Sequence, residues 1–267
     1  MSTRTVIKVV EKYLRLPQFT VSIRRDQTRN QYAYLLRRLC SLPYKDGTVG
    51  DIPTTKLKAS TCQELYYLMI EQSQGAGVRA ANYTVQVAVR AWNVLIKHDL
   101  LDKNPWSLVE RMQAAPRHTV WTNTDFETIL KTAFAESKWR NIGLLIRINA
   151  ELGQRAGDMR LVQWENFDLE QQLYVRESIE KTREHIPGIP ISDNLKHMII
   201  KQKEYYSFQP WVVPNPHTME PYTESGLRHT FRRLARAANI PDKLQFRDIR
   251  RTVLTDLANH GATDNEM

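Results

Sequence analysis

Two cysteines in 267 residues, Cys40 and Cys62, exclude a disulfide framework, and their spacing fits no metal site. Both are expected as small buried hydrophobes in a chain kept reduced. Long apolar runs are missing too. The longest, IGLLIRINA, carries Arg147 in its middle, and MSTRTVIKVVEKY at the start has no secretory apolar stretch. These absences predict a soluble, cytoplasmic protein with no membrane partner. There is no internal repeat and no low-complexity tail. Acidic charge is short as well: 29 Asp and Glu face 38 Lys and Arg, a formal net charge of +9. That balance favours a polyanionic partner, with nucleic acid first, once the charges are placed.

What is present reads as two domains. Residues 1–115 are mostly helical, with apolar spacings of three and four in TVIKVVEKYLRL, DQTRNQYAYLLRRLC, STCQELYYLMIEQS and RAANYTVQVAVRAWNVLIKH. PYKDGTVGDIP (43–53) and SQGAGV (73–78) read as loops, and Ser60 with Gln63 or Thr61 with Glu64 offers a capping-box start. The aperiodic QAAPRHTVW, 113–121, reads as the linker. Residues 116–267 then combine helices at DFETILKTAFAE, IGLLIRINAEL, GLRHTFRRLARAANI and RDIRRTVLTDLANH with strands at LYVRESI and EHIPGIPIS. The expected fold is mainly α with a small β-sheet, the last helix ending at Gly261.

The basic excess is concentrated. Met1–Arg38 holds nine basic and two acidic residues, and Arg228–Arg251 eight basic and two acidic. Two such patches on two domains could close on a duplex from opposite sides; the alternative is a pair of solvated helix faces. On the last helix, at about 100° per residue from Ile249, Val253 falls near about 40°, Leu257 near about 80° and Leu254 near about 140°. That arc is the expected core face, with Arg250 inside it, Arg247 at its edge and Arg251 pointing to solvent. A guanidinium on the buried side needs an anion or acceptors. Arg250 either pairs locally, for instance with Asp158, or waits for phosphate, whose oxygens match its planar fork.

GQRAGDMRLVQWENFD contains Gly153, Arg155, Asp158, Met159, Val162, Trp164 and Asp168 in an order that resembles the first active-site motif of tyrosine recombinases, the phage integrase family. IEKTREHIPGIPIS is similar to the family's β-hairpin, with Lys181 in the lysine's place, and FRDIRRTVLTDLANHG is similar to its second arginine helix, with Arg250 as that arginine. The resemblance spans about residues 121–267 and implies an α+β catalytic domain behind a helical core-binding domain.

It further implies site-specific DNA recombination. A tyrosine attacks the scissile phosphate, giving a 3′-phosphotyrosine and a free 5′-hydroxyl. The bond energy stays in the ester, so neither metal nor nucleotide cofactor is consumed. Arg155 and Arg250 would brace the non-bridging oxygens, Lys181 would protonate the leaving 5′-oxygen, and Asp158 would orient an arginine. The implied partner is double-stranded DNA, bound by a homo-tetramer across two duplexes. In the N-terminal half, Arg24, Arg25, Arg29, Arg79, Arg90 and Lys97 are DNA-contact candidates by charge alone.

Two departures stand out. Arg247 occupies the place of the family's usual histidine and cannot accept a proton, which leaves it hydrogen-bond donation to phosphate. All eleven tyrosines lie at or before Tyr222, none in the nucleophile's place, so the expectation is a recombinase truncated at its C-terminus. The alternatives are a non-catalytic DNA-binding regulator that keeps the fold, and a basic helical protein that binds RNA or ribosomes.

Overall fold

The computed structural model describes residues 4–72, 77–175 and 188–262, in two compact units, Met1–Pro116 and Arg117–Met267. The N-terminal unit holds helices α1 (Val6–Tyr13), α2 (Pro17–Thr20) and α3 (Asp26–Cys40). A short hairpin of β1 (Pro43–Tyr44) and β2 (Gly47–Thr48) follows, then α4 (Ala59–Glu71) and α5 (Gly77–Lys97). Val6, Val9, Val10 and Tyr13 share one face of α1, as do Leu35, Leu36, Leu39 and Cys40 on α3. Each fully buried aliphatic side chain stabilises by roughly 1.5–3 kcal/mol, which outweighs the indifferent helix propensity of the valines. Trp92 of α5 meets Trp106 edge-on at 6.1 Å, and both are fully buried. Both cysteines are buried and free.

Two expectations fail here. PYKDGTVGDIP is not all loop, because Pro43 pairs with Thr48 and Tyr44 with Gly47 around a turn that puts Lys45 at φ 51°. Two-residue strands are too short for alternation to announce them. Nor does α4 start on a capping box: it begins at Ala59 with no side-chain cap. The expected capping residues work at longer range. Gln63 exchanges hydrogen bonds with the Glu110 backbone at 2.9 and 3.2 Å, and Glu64 accepts from the Tyr44 hydroxyl at 2.6 Å.

The C-terminal unit is built around α7 (Arg140–Leu152), which comes after α6 (Asn123–Ala135). Ile142, Leu144, Leu145, Ile146 and Ile148 are all buried, so this helix is apolar almost all round and has to be central. A Cβ on Gly143 would lie 2.6 Å from the Cβ of Ala133, so any side chain there would push α6 off α7. The short α8 (Ala156–Met159) leads into an antiparallel sheet of order β3 (Phe167–Asp168), β4 (Leu173–Tyr174), β5 (Ile189–Pro190), with Phe167 opposite Tyr174 and Tyr174 opposite Ile189. Of the expected strands LYVRESI and EHIPGIPIS, the first two residues of one form β4 and Ile189–Pro190 of the other form β5, while their residues 176–179 and 184–187 lie outside the described residues; β3 is an addition to them. The chain then forms α9 (Asp193–Tyr206), α10 (Glu224–Ala237) and α11 (Asp248–Asn259), with Gly261 at φ 86° just beyond.

Three further expectations need correction. Helix α9 has no counterpart among the expected helices: its buried residues are Leu195, Ile199 and the polar Gln202, so its apolar stripe is thin. Gln202 is buried because it donates to the Asn141 side chain and the Val212 carbonyl, both at 3.0 Å. The linker is shorter than 113–121. Trp121 is 4% exposed, stacks on Phe126 at 5.0 Å and donates its backbone N–H to Thr252 at 2.8 Å, so the residues from Arg117 on are built into the unit. The core face of α11 is Asp248, Ile249 and Thr252, whereas Leu257 is 41% exposed. Tertiary partners for Asp248 and Thr252 rotate the helix away from its purely apolar arc. Among the described residues no helix is long and apolar enough to cross a membrane.

Candidate active site

Gly153 sets the geometry. It ends α7 in the left-handed region at φ 58°, ψ 20°, where a side chain is strained, and a Cβ would also lie 2.8 Å from Val253 Cγ1 of α11. The reversal brings Arg155 to the residue just before α8, with its backbone extended and its side chain exposed. The Arg155 carbonyl accepts from the Asp158 and Met159 N–H groups at 2.9 and 3.0 Å, and buried Met159 and Val162 anchor the turn below. Trp164 fastens the next stretch of chain, donating its indole N–H to the Gln209 carbonyl at 2.8 Å.

Arg250 reaches this turn from α11. Half-buried, it donates Nη1–H to the Gly153 carbonyl at 2.7 Å. Burial and, after it, the nearby Arg155 guanidinium hold Arg250 below the ordinary arginine value, while Asp158 acts the other way. The fold therefore gathers Arg155, Asp158 and Arg250 into one electrostatic neighbourhood. Two guanidinium groups held close repel each other, a cost that a bound dianionic or bridging anion relieves.

Arg247 is exposed at the start of the same helix. It opens onto a groove of about 940 Å³ between α8 and α10, which Arg160, Arg228 and Arg232 also line over an apolar floor that includes Leu227 and Phe231. Arg160 donates to the Tyr222 carbonyl at 3.0 Å, and Arg232 pairs with Asp242 at 2.9 Å. Sequence reasoning singles out neither Arg160 nor Arg228. The available signal is the four-residue spacing of Arg228 and Arg232, which puts both on one helix face. Lys181 lies outside the described residues. No tyrosine lines this groove among the described residues, and Tyr222 is buried with its hydroxyl pushed up to about 12 by desolvation.

The N-terminal candidates divide. Arg24, Arg25, Arg79, Arg90 and Lys97 are exposed. Arg29 is occupied locally, paired with Asp26 and donating to the Ile23 carbonyl at 2.6 Å. Arg79 also donates to the Ala115 carbonyl. Among the described residues no group of three or more His, Cys, Asp or Glu could hold a metal ion.

Comparison with known proteins bears on the family and the fold. Residues 120–266 match the model of the phage integrase family. Tyrosine recombinase XerC of Pediococcus pentosaceus is 25% identical over 185 residues, covering 64% of this chain but only 60% of the relative's length. A lambda integrase dimer bound to a COC′ core site superposes with a TM-score of 0.77 at 17% identity, over 97% of this chain and 91% of that one. Tn1549 transposon integrase with circular intermediate DNA gives 0.75 at 18% identity, over 98% and 89%. A lambda integrase tetramer on a Holliday junction gives 0.77 at 16%, over 99% and 73%. At these identities the structural likeness is one of fold.

Proposed function

The chain belongs to the phage integrase family, and from that premise we propose that it acts in site-specific DNA recombination, with residues 116–267 as the strand-exchanging unit. One observation carries the reading: the hydrogen bond from Arg250 to the Gly153 carbonyl holds Arg250 at the turn that leads into Arg155, where the Arg155 charge is felt at Arg250. Such a pair suits a phosphodiester. Both guanidinium groups donate to non-bridging oxygens that gain charge as the phosphorus becomes five-coordinate, and a preorganised donor of this kind is worth about 10²–10³ in rate. Asp158 restrains the arginines. Lys181 protonates the departing 5′-oxygen, a task for an ammonium and not for a guanidinium. The attacking group in such a reaction is a tyrosine hydroxyl, and none of the residues gathered at the Gly153 turn supplies it.

Arg247, Arg228 and Arg160 hold the flanking backbone as phosphate contacts, and residues 1–115 grip the duplex through Arg24, Arg25, Arg90 and Lys97. The assembly is a tetramer on two duplexes, like the lambda integrase on a Holliday junction. A protein that acts on DNA with its cysteines reduced works in the cytoplasm. Arg247 in the histidine position favours a second reading, a DNA-binding regulator that does not cut, because no general base stands there.

The test is a nicked duplex carrying the target repeat, incubated with the protein. A covalent protein–DNA adduct that disappears in Arg250→Ala supports the enzyme. Protection of the repeat without any adduct supports the regulator, and an adduct undiminished by Arg250→Ala sinks the site.

A further inference from the structure

We propose that Asp248 is a positioning residue for Arg250, acting by fastening the start of α11 to the segment where the chain joins the C-terminal unit. Asp248 is a charged side chain only 2% exposed, and it sits among interactions with residues far away in sequence. Its Oδ2 accepts from Arg117 Nη2 at 2.6 Å and from the Gln245 backbone N–H at 3.0 Å. Arg117 also donates to the Lys243 carbonyl. Further along the same face, Thr252 accepts from the Trp121 N–H at 2.8 Å and donates to the Asp248 carbonyl at 3.1 Å, while the Trp121 indole donates to the Gln245 carbonyl at 3.3 Å. Residues 117–121 thus lie along the first turn of α11 and hold it at both Asp248 and Thr252.

The lever is rotational. Asp248 and Arg250 are two residues apart, about 200° around the helix. One is held in the core, and the other points at the Gly153 turn. Rotating α11 by about 10° would swing a guanidinium lying roughly 6 Å from its axis by about 1 Å. A displacement of that size at a reacting centre can cost about 10²-fold. A buried carboxylate with only an apolar setting would be a liability, since desolvation disfavours its charge. Paired with Arg117 and the Gln245 N–H, it becomes a fixed point with defined direction, which a leucine at 248 would not supply. The carboxylate also lies in the first turn of α11, where the helix dipole favours negative charge.

The inference rests on the phosphate role proposed above for Arg250, and the test separates the two. A binding site is first selected for the chain from a random-sequence duplex pool, and phosphate-ethylation interference is then mapped on it for wild type and variants. Loss of one interference position in Arg250→Ala identifies the phosphate that Arg250 holds; if no position is lost, the reading of Arg250 fails, and the proposal with it. Given that position, Asp248→Asn and Arg117→Ala are expected to lose it selectively while the remaining positions persist, with Arg117→Lys restoring it at least in part. Persistence of the Arg250 position in both Asp248→Asn and Arg117→Ala would overturn the positioning role. Uniform fading of every position would do so too, since that is the mark of general destabilisation. Arg117→Ala keeps the Gln245–Asp248 bond, so it stays informative if Asp248→Asn folds poorly.

Discussion

The Arg250 guanidinium and the Gly153 carbonyl are joined by a 2.7 Å hydrogen bond across a sequence separation of 97 residues. Gly153 ends α7, Arg155 lies two residues later, and Arg250 comes from α11, so this one bond ties together both arginine motifs. The carbonyl is free to accept because Gly153 has left the helix in a left-handed conformation.

Replacing Gly153 with alanine is expected to destabilise the C-terminal unit by at least about 1–2 kcal/mol, the cost of a left-handed non-glycine residue. The contact with Val253 adds to this. Denaturant unfolding of Gly153→Ala checks the figure. Pairing Gly153→Ala with Val253→Ala should recover only the steric part.

Arg250→Lys is expected to lower adduct formation by about 10²- to 10³-fold, close to Arg250→Ala, because an ammonium cannot hold the Gly153 carbonyl and present a planar fork to phosphate together. DNA affinity should change far less than the rate. An Arg250→Lys variant with near wild-type cleavage would mean that the fork is not used.

The charged side chains of the N-terminal unit should separate in a salt titration of DNA binding. Arg24→Ala is expected to reduce the slope of log K against log salt by about 1, without loss of stability. Arg29→Ala should instead destabilise by about 1 kcal/mol through its lost bonds to Asp26 and the Ile23 carbonyl. Finding the two variants alike in both measurements would contradict the division.

Cys40 and Cys62 have thiols pushed up to about 12 by burial, with the Glu11 carboxylate adding to the effect at Cys40. In an unfolded chain the thiol pKa is about 8.5. The folded groups are raised, so their stabilising contribution is complete below that value and is lost as pH climbs toward 12. Unfolding midpoints should therefore fall above about pH 9, and a Cys40→Ser, Cys62→Ser chain should show a shallower fall, keeping only the part due to buried hydroxyls such as that of Tyr222. At pH 8 the native thiols should react with a disulfide reagent at less than about a hundredth of the rate seen in denaturant.

Much of the fold is readable in advance because helices here are announced by short-range spacing. DQTRNQYAYLLRRLC coincides with α3, and the glycine before Arg155 marks the end of α7. The pattern fails where burial depends on a remote partner. Gln202 of α9 looks like a surface residue until Asn141 and Val212 are beside it, and Asp248 looks like a solvent-facing charge until Arg117 arrives. The basic runs are visible as totals, yet only coordinates separate Arg29, already paired, from Arg24, which is exposed.

Local spacing, backbone preference and charge are enough to say which residues form most of the helices, that the chain divides near residue 116, and that guanidinium groups recur in two motifs. Three-dimensional packing was needed to bring Arg155 and Arg250 into one electrostatic neighbourhood and to set which way α11 is turned. Both depend on contacts between segments about a hundred residues apart, such as Arg250 with Gly153 and Trp121 with Thr252. Such contacts form when buried polar groups find partners, and a spacing rule within one helix does not register them.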